Sequence, residues 1–204
     1  MDPSALTEPR RRVLLWDVMD TLVVDPFREV MPTFFGMDLN ALGALMSRKA
    51  WPAFERGEID EATYFATAFI DQRTFDGPAF REAMVDAYRL MPGVETLLAE
   101  LRDRGVPMFG FSNYSSWYLR LDERMGLSRF LDWQLVSCRT GLRKPDALSY
   151  RRAVNVAAAA PEDCLFIDDR EVNVEAARES GLVAHRFVDS EAARKVIEDF
   201  LSAP

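Results

Sequence analysis

Apolar and polar residues alternate along this chain in two different rhythms. The segment Arg12-Val-Leu-Leu-Trp-Asp17 is a continuous apolar run closed by an acid, the pattern of a strand buried on both faces whose carboxyl end opens onto a site. From Pro26 to about Arg89 the spacing becomes helical. Ala41, Leu42, Leu45 and Met46, then Tyr64, Phe65, Ala68 and Phe69, then Phe80, Met84, Val85 and Tyr88 each mark one apolar face. No alternating strand signal interrupts them, so residues 26–90 are expected to be a helical insertion.

After Met91-Pro92-Gly93 the chain settles into repeated units. The pattern predicts a helix ending near Arg104-Gly105, a strand over Val106–Phe111, and a helix from about Ser115 to Met125-Gly126. It continues with a strand over Trp133–Val136, a helix over Ala147–Ala158 and a strand over Cys164–Ile167. A helix over Val172–Ser180, a strand over Val183–Phe187 and a final helix complete it. Such alternation predicts an α/β fold with a doubly wound, mainly parallel, Rossmann-like sheet, built from residues 1–25 and 91–204. Hinges are expected near Pro26 and Met91-Pro92-Gly93, the two crossings into and out of the insertion.

Composition narrows the function. The 204 residues are 49% hydrophobic and 28% charged, ordinary for a globular chain with one sizeable core. The longest apolar runs fall far short of the roughly 18–20 residues of a membrane span. A net charge of −8 argues against a large nucleic-acid footprint, which needs dense Lys and Arg. Cys138 and Cys164 lack a C-x-x-C or His-rich context and read as reduced thiols. Met1 to Arg12 lacks a cleavage pattern and reads as a frayed lead-in, which with the thiols suggests a cytoplasmic location. The sole histidine, His185, lies in a late strand and reads as structural.

In doubly wound sheets ligands bind beyond the carboxyl ends of the strands. Asp17, Ser112 with Asn113, and Asp168 with Asp169 all fall there, and Lys144 lies in the loop after the third expected strand. A carboxylate, a hydroxyl with an amide, an ammonium and a carboxylate pair thus converge from four distant segments.

Trp16-Asp-Val-Met-Asp-Thr-Leu-Val23, Phe111-Ser-Asn113, Arg143-Lys-Pro-Asp146 and Phe166-Ile-Asp-Asp-Arg-Glu-Val-Asn173 resemble the four motifs of the haloacid dehalogenase-like hydrolases, in order and over nearly the whole chain. The resemblance implies that Asp17 is a nucleophile that becomes covalently modified. It implies Mg²⁺ held by Asp17, the backbone carbonyl of Met19 and Asp169, with Asp168 beside it through a water. Ser112 and Asn113 would donate to the transferring group, Lys144 would neutralise its charge, and Thr21 would join the phosphate-binding set. Arg170 and Asn173 could orient the acidic pair or face solvent. The insertion occupies the position of the family's small helical cap, which closes over a small-molecule phosphate ester. The chain could be a monomer or a homodimer.

One position departs from the pattern. Phosphatases of this family usually carry a second aspartate two residues after the nucleophile, as general acid and base; here that residue is Met19. Asp20 could take the role if the strand has already ended there, the leaving group could need no proton, or the protein could be a weak or silent binding protein. Haloacid dehalogenases also lack that aspartate, which makes dehalogenation the enzymatic rival, yet their fourth motif lacks the Asp168-Asp169 pair.

A closer resemblance, carried by Trp16 to Phe27, Phe34-Phe-Gly36, Phe54 to Glu61, Asn113-Tyr114 and Trp117-Tyr118, is to plant chloroplast flavin mononucleotide hydrolases. It implies FMN or a similar phosphate monoester. Phe34, Phe35, Trp51 and Tyr114 are then available to stack on a flat ring, or are packing residues.

Overall fold

The structure, a computed structural model, describes residues 11–203. The lead-in expected over 1–12 therefore falls mostly outside the described residues. Strand β1 (Val13–Trp16) is followed by five helices: α1 (Phe27–Phe35), α2 (Leu39–Leu45), α3 (Ala50–Glu55), α4 (Glu61–Thr67) and α5 (Gly77–Asp86). Then come α6 (Val94–Asp103), β2 (Met108–Gly110), α7 (Tyr118–Met125), α8 (Ser137–Thr140) and α9 (Ala147–Ala157). The chain ends with β3 (Cys164–Asp168), α10 (Glu171–Glu179), β4 (Val183–Arg186) and α11 (Ser190–Ser202). Asp38, Asp60, Asp76, Asp146 and Asp189 each accept a backbone N–H at the start of a helix, satisfying donors that the first turn leaves unpaired.

The sheet is parallel throughout, in the order β2-β1-β3-β4. Strand β1 is central and buried on both faces, as its unbroken apolar run requires. Leu14 and Trp16 join the apolar cluster that contains Leu97, Leu98 and Ile197, whereas Val13 and Leu15 join the cluster that contains Tyr150, Ala153 and Ala177. Helices therefore cover both faces, the doubly wound arrangement expected. Among the described residues no helix is long and apolar enough to cross a membrane.

The strand expected over Trp133–Val136 does not form. Asp132 alone pairs with Phe109, and its side chain then accepts the N–H of Gln134 at 2.8 Å. This Asx turn bends the chain away from β2. The Trp133 ring lies on the sheet instead. A Cβ at Gly110 would sit 2.9 Å from it, so the strand is kept bare there.

Segments 22–24 and 89–91 lie side by side. Val24 N–H donates to Arg89 O and Met91 N–H to Leu22 O, both at 2.9 Å, around a bridge between Val23 and Leu90. Both connections to the helical segment thus leave the core at one point, directly above the end of β1.

Candidate active site

Register explains the convergence. Trp16 pairs with Gly110 on one side and Ile167 on the other, so Asp17, Ser112 and Asp168 emerge at about the same level of the sheet. Beyond β1 the N–H groups of Thr21, Leu22 and Val23 all point to Val18 O, at 3.4, 2.9 and 2.9 Å. The strand has ended by then, so alternation no longer decides which way Asp20 points. Asp20 has φ of 57°, the left-handed region that Asp tolerates better than most residues. Its Oδ1 accepts the N–H of Asp25 at 3.0 Å.

Lys144 stands at the centre. Its Nζ donates to Asp17 Oδ1 at 2.6 Å and to Asp168 Oδ2 at 2.7 Å. It lies 5.1 and 5.0 Å from the ring centroids of Phe111 and Phe166, a further favourable contact for a cation. The Asn113 side chain grips its backbone, with Nδ2 donating to Lys144 O and Oδ1 accepting Lys144 N–H, both at 2.8 Å. This amide is thus engaged in placing Lys144. Thr21 Oγ1 donates to Asp17 Oδ2 at 3.4 Å and accepts the N–H of Asp169 at 3.2 Å, while fully buried.

Asp168 is also fully buried, and its oxygens are engaged on several sides. Oδ1 accepts from Arg170 N–H at 2.8 Å and Asn173 Nδ2 at 3.0 Å; Oδ2 accepts from Lys144 and from Asn173 Nδ2 at 2.9 Å. Of the two residues left open after the acidic pair, Asn173 is therefore a buried partner of Asp168, whereas Arg170 is exposed at the rim. Nothing in the motif alone distinguishes them; the buried register of α10 does.

Carboxylate oxygens of Asp17, Asp168 and Asp169 all lie within 4.8 Å of one another. Three acids face one ammonium, an excess of negative charge in a buried place. The consequence falls on Asp17 and Asp169. Burial raises the Asp17 carboxyl from 3.8 to about 7, opposed by Lys144 and reinforced by Asp168 and Asp169. Burial also raises Asp169, with Asp168 and Asp20 adding to it. A hard divalent cation with oxygen ligands would relieve this repulsion, so the donor set fits Mg²⁺.

Above these residues is a cavity of about 330 Å³. Asp17, Ser112, Asn113, Lys144 and Asp169 form its polar floor beside Met19, and Trp51, Tyr64, Phe80, Met84, Tyr114 and Trp117 line its apolar walls. Of the four aromatics expected to meet a flat ligand, Trp51 and Tyr114 line the cavity. Phe34 and Phe35 instead pack edge-on against Phe69, Phe75 and Phe80, as core rings do.

The helical segment reaches the floor through Glu55 at the end of α3, whose role was not legible in the sequence. It is buried, accepts Trp51 Nε1–H through Oε1 at 2.6 Å, and faces Arg143 Nη2 through Oε2 at 2.6 Å. Ser137 Oγ donates to Glu55 O at 2.5 Å while accepting Tyr114 N–H at 2.9 Å. Trp117 Nε1 donates to Glu61 at 2.6 Å. These bonds tie residues 51–61 to the motif loops beneath them. Cys138 and Cys164 are free thiols, and His185 lies in β4 away from the site.

A model of the haloacid dehalogenase-like hydrolases matches residues 12–181. The chain belongs to that family. It is 38% identical over 187 residues to flavin mononucleotide hydrolase 1 of Arabidopsis thaliana, a chloroplast protein, covering 92% of this chain and 76% of that one. It is 26% identical to a sesquiterpene phosphatase of Aspergillus oryzae, covering 76% of this chain and 80% of that one. The fold is similar to that of a family enzyme from Bacteroides thetaiotaomicron in complex with magnesium and inorganic phosphate. That likeness has a TM-score of 0.70 and 17% identity, and covers 88% of this chain and 95% of the other.

Proposed function

We propose that this hydrolase is a Mg²⁺-dependent phosphatase that acts on a small phosphate monoester, with FMN as the leading candidate substrate. The observation that carries this reading is the Asp17–Lys144–Asp168 triad, with Asp169 beside it, at the floor of an aromatic-walled cavity. Asp17 attacks phosphorus and forms an aspartyl phosphate, which water then hydrolyses. Lys144 and Ser112 offset charge on the transferring oxygens, and Asn113, Asp168 and Asn173 keep Lys144 in place.

Asp17, the Met19 carbonyl and Asp169 would hold Mg²⁺, which supplies charge neutralisation at the phosphoryl oxygens. Thr21 links two of these ligands and keeps Asp17 oriented. Asp168 can share a water with the cation only through oxygens already engaged, so its main task is to anchor Lys144. Residues 26–90 act as the cap: they exclude water and supply Trp51 and Tyr64 as a surface for a flat ring. Similarity to the Arabidopsis FMN hydrolase and the aromatic walls of the cavity, Trp51, Tyr64 and Tyr114 among them, favour a flavin over a compact sugar phosphate.

The test is phosphate release from FMN and a panel of small phosphomonoesters, with Mg²⁺ or EDTA, in wild type and Asp17→Asn. Release that needs both Mg²⁺ and Asp17 is expected, with FMN preferred. Halide release from 2-haloacids without metal would overturn the reading in favour of dehalogenation.

A further inference from the structure

The phosphatase reading leaves the acid and base of the reaction without a residue, because the Met19 side chain holds no transferable proton. We propose that Asp25 fills this role. It rests on that reading and deepens it.

Asp25 lies on the connection from β1 to α1, where the two linkers pair, and it lines the same cavity as Asp17, Met19 and Lys144. Its backbone N–H is held by Asp20 and its Oδ1 accepts Phe27 N–H at 2.9 Å. Oδ2 accepts no hydrogen bond from the described residues. One carboxyl oxygen is therefore fixed by the backbone while the other remains available to a ligand in the cavity. The groups around it are Asp20, Arg28, and the Tyr88 and Tyr114 hydroxyls, which are hydrogen-bonded to each other. Burial raises the Asp25 carboxyl above the usual range; the Phe27 bond opposes this, Asp20 adds to it and Arg28 opposes it. An acid shifted toward neutrality is suited to give and take a proton.

The chemistry balances. Asp17 attacks phosphorus, the phosphorus–ester oxygen bond breaks, and the departing oxygen takes its electron pair together with the Asp25 proton, leaving as the alcohol. A water then attacks the aspartyl phosphate, giving its proton to Asp25 as the Asp17–phosphorus bond breaks. Inorganic phosphate leaves, and both aspartates return to their starting states.

Asp25→Asn is the decisive variant, because an Asn Oδ1 still accepts Phe27 N–H while the proton is lost. Stopped-flow measurements with Mg²⁺ would compare 4-nitrophenyl phosphate, whose leaving group is stable as an anion, with FMN, whose leaving group is an alkyl alcohol. The expected result is a nitrophenolate burst within a few-fold of wild type, then turnover slowed about 10²-fold or more, and FMN cleavage slowed at its first step. A purely structural role for Asp25 would lower burst and turnover together. That outcome, no loss at all, or this pattern in Asp20→Asn and not in Asp25→Asn would overturn the proposal. A wild type silent toward every ester would instead count against the phosphatase reading itself.

Discussion

Lys144 donates from Nζ to Oδ1 of Asp17 at 2.6 Å although 127 positions separate them in the chain. The same nitrogen holds Asp168, so a single cation compensates two buried carboxylates. Lys144→Ala is expected to slow phosphate release by about 10²–10³-fold, the usual loss of a charge-stabilising group. It should also destabilise the fold by about 3–5 kcal/mol at pH 8, because two buried charges lose their partner. Urea unfolding at pH 8 and pH 5 would check this; the loss should shrink at pH 5, where Asp17 takes up a proton.

The raised Asp17 carboxyl predicts how magnesium and pH act together. Its folded value, about 7, lies above the ordinary 3.8. Between those values the metal-free folded state binds a proton that the unfolded state has released. Stability therefore falls as pH rises through this window, and the full penalty applies above it. Asp169, also raised, carries the same sign. Mg²⁺ should then raise the Tm more at pH 8 than at pH 5, as thermal melts with Mg²⁺ or EDTA can show. By the same reasoning Asp17→Asn should melt higher than the metal-free wild type at pH 8 while losing turnover. An equal Mg²⁺ shift at both pH values would rule this electrostatic account out.

Asn173 donates to both oxygens of Asp168 and is itself buried. Asn173→Ala should cost about 1–3 kcal/mol, the penalty for unsatisfying a buried charged partner. Its effect on phosphate release should be strongly non-additive with Lys144→Ala, since Asn173 acts on the reaction by way of Asp168 and the Lys144 it holds. Additive losses in that double-mutant cycle would show that the two residues work independently.

Gly57 follows α3 with φ of 68°, and a Cβ there would lie 2.6 Å from Cys138 O in the core. Gly57→Ala should cost about 1–3 kcal/mol from backbone strain alone. Because Glu55 lies on the same turn, the KM for FMN should rise as well. Wild-type stability and KM in this variant would show that the contact between α3 and α8 yields easily.

Most of the fold could be read from the sequence because β1 and β2 are short, wholly apolar runs, β3 is one closed by Asp168, and five of the helices carry Asp caps. The strand expected at Trp133 failed for a local reason, the Asx turn at Asp132, which an apolar count does not see. The site was legible as a set of strand-end residues, since register brings Asp17, Ser112 and Asp168 level. Partnerships were not legible: the motif does not reveal that Asn113 grips the Lys144 backbone, or that Asn173 rather than Arg170 turns inward. Glu55 and Asp25 escaped for a different reason. Each lies in or beside the helical segment, where a lone acid looks like any solvated charge until packing encloses it.

Trp51 and Trp117, two of the chain's four tryptophans, meet edge-on at 5.8 Å, one from the helical segment and one from the core. Their indoles share a wall of the cavity, which gives the molecule a built-in optical probe. A flavin's near-ultraviolet absorption overlaps indole emission, so a flavin seated against them would quench their fluorescence by energy transfer. Separation of the two segments would instead move both rings toward water and shift that emission to the red. Ligand entry and opening thus carry distinct spectral signatures, one in intensity and one in wavelength, and both can be followed without a label.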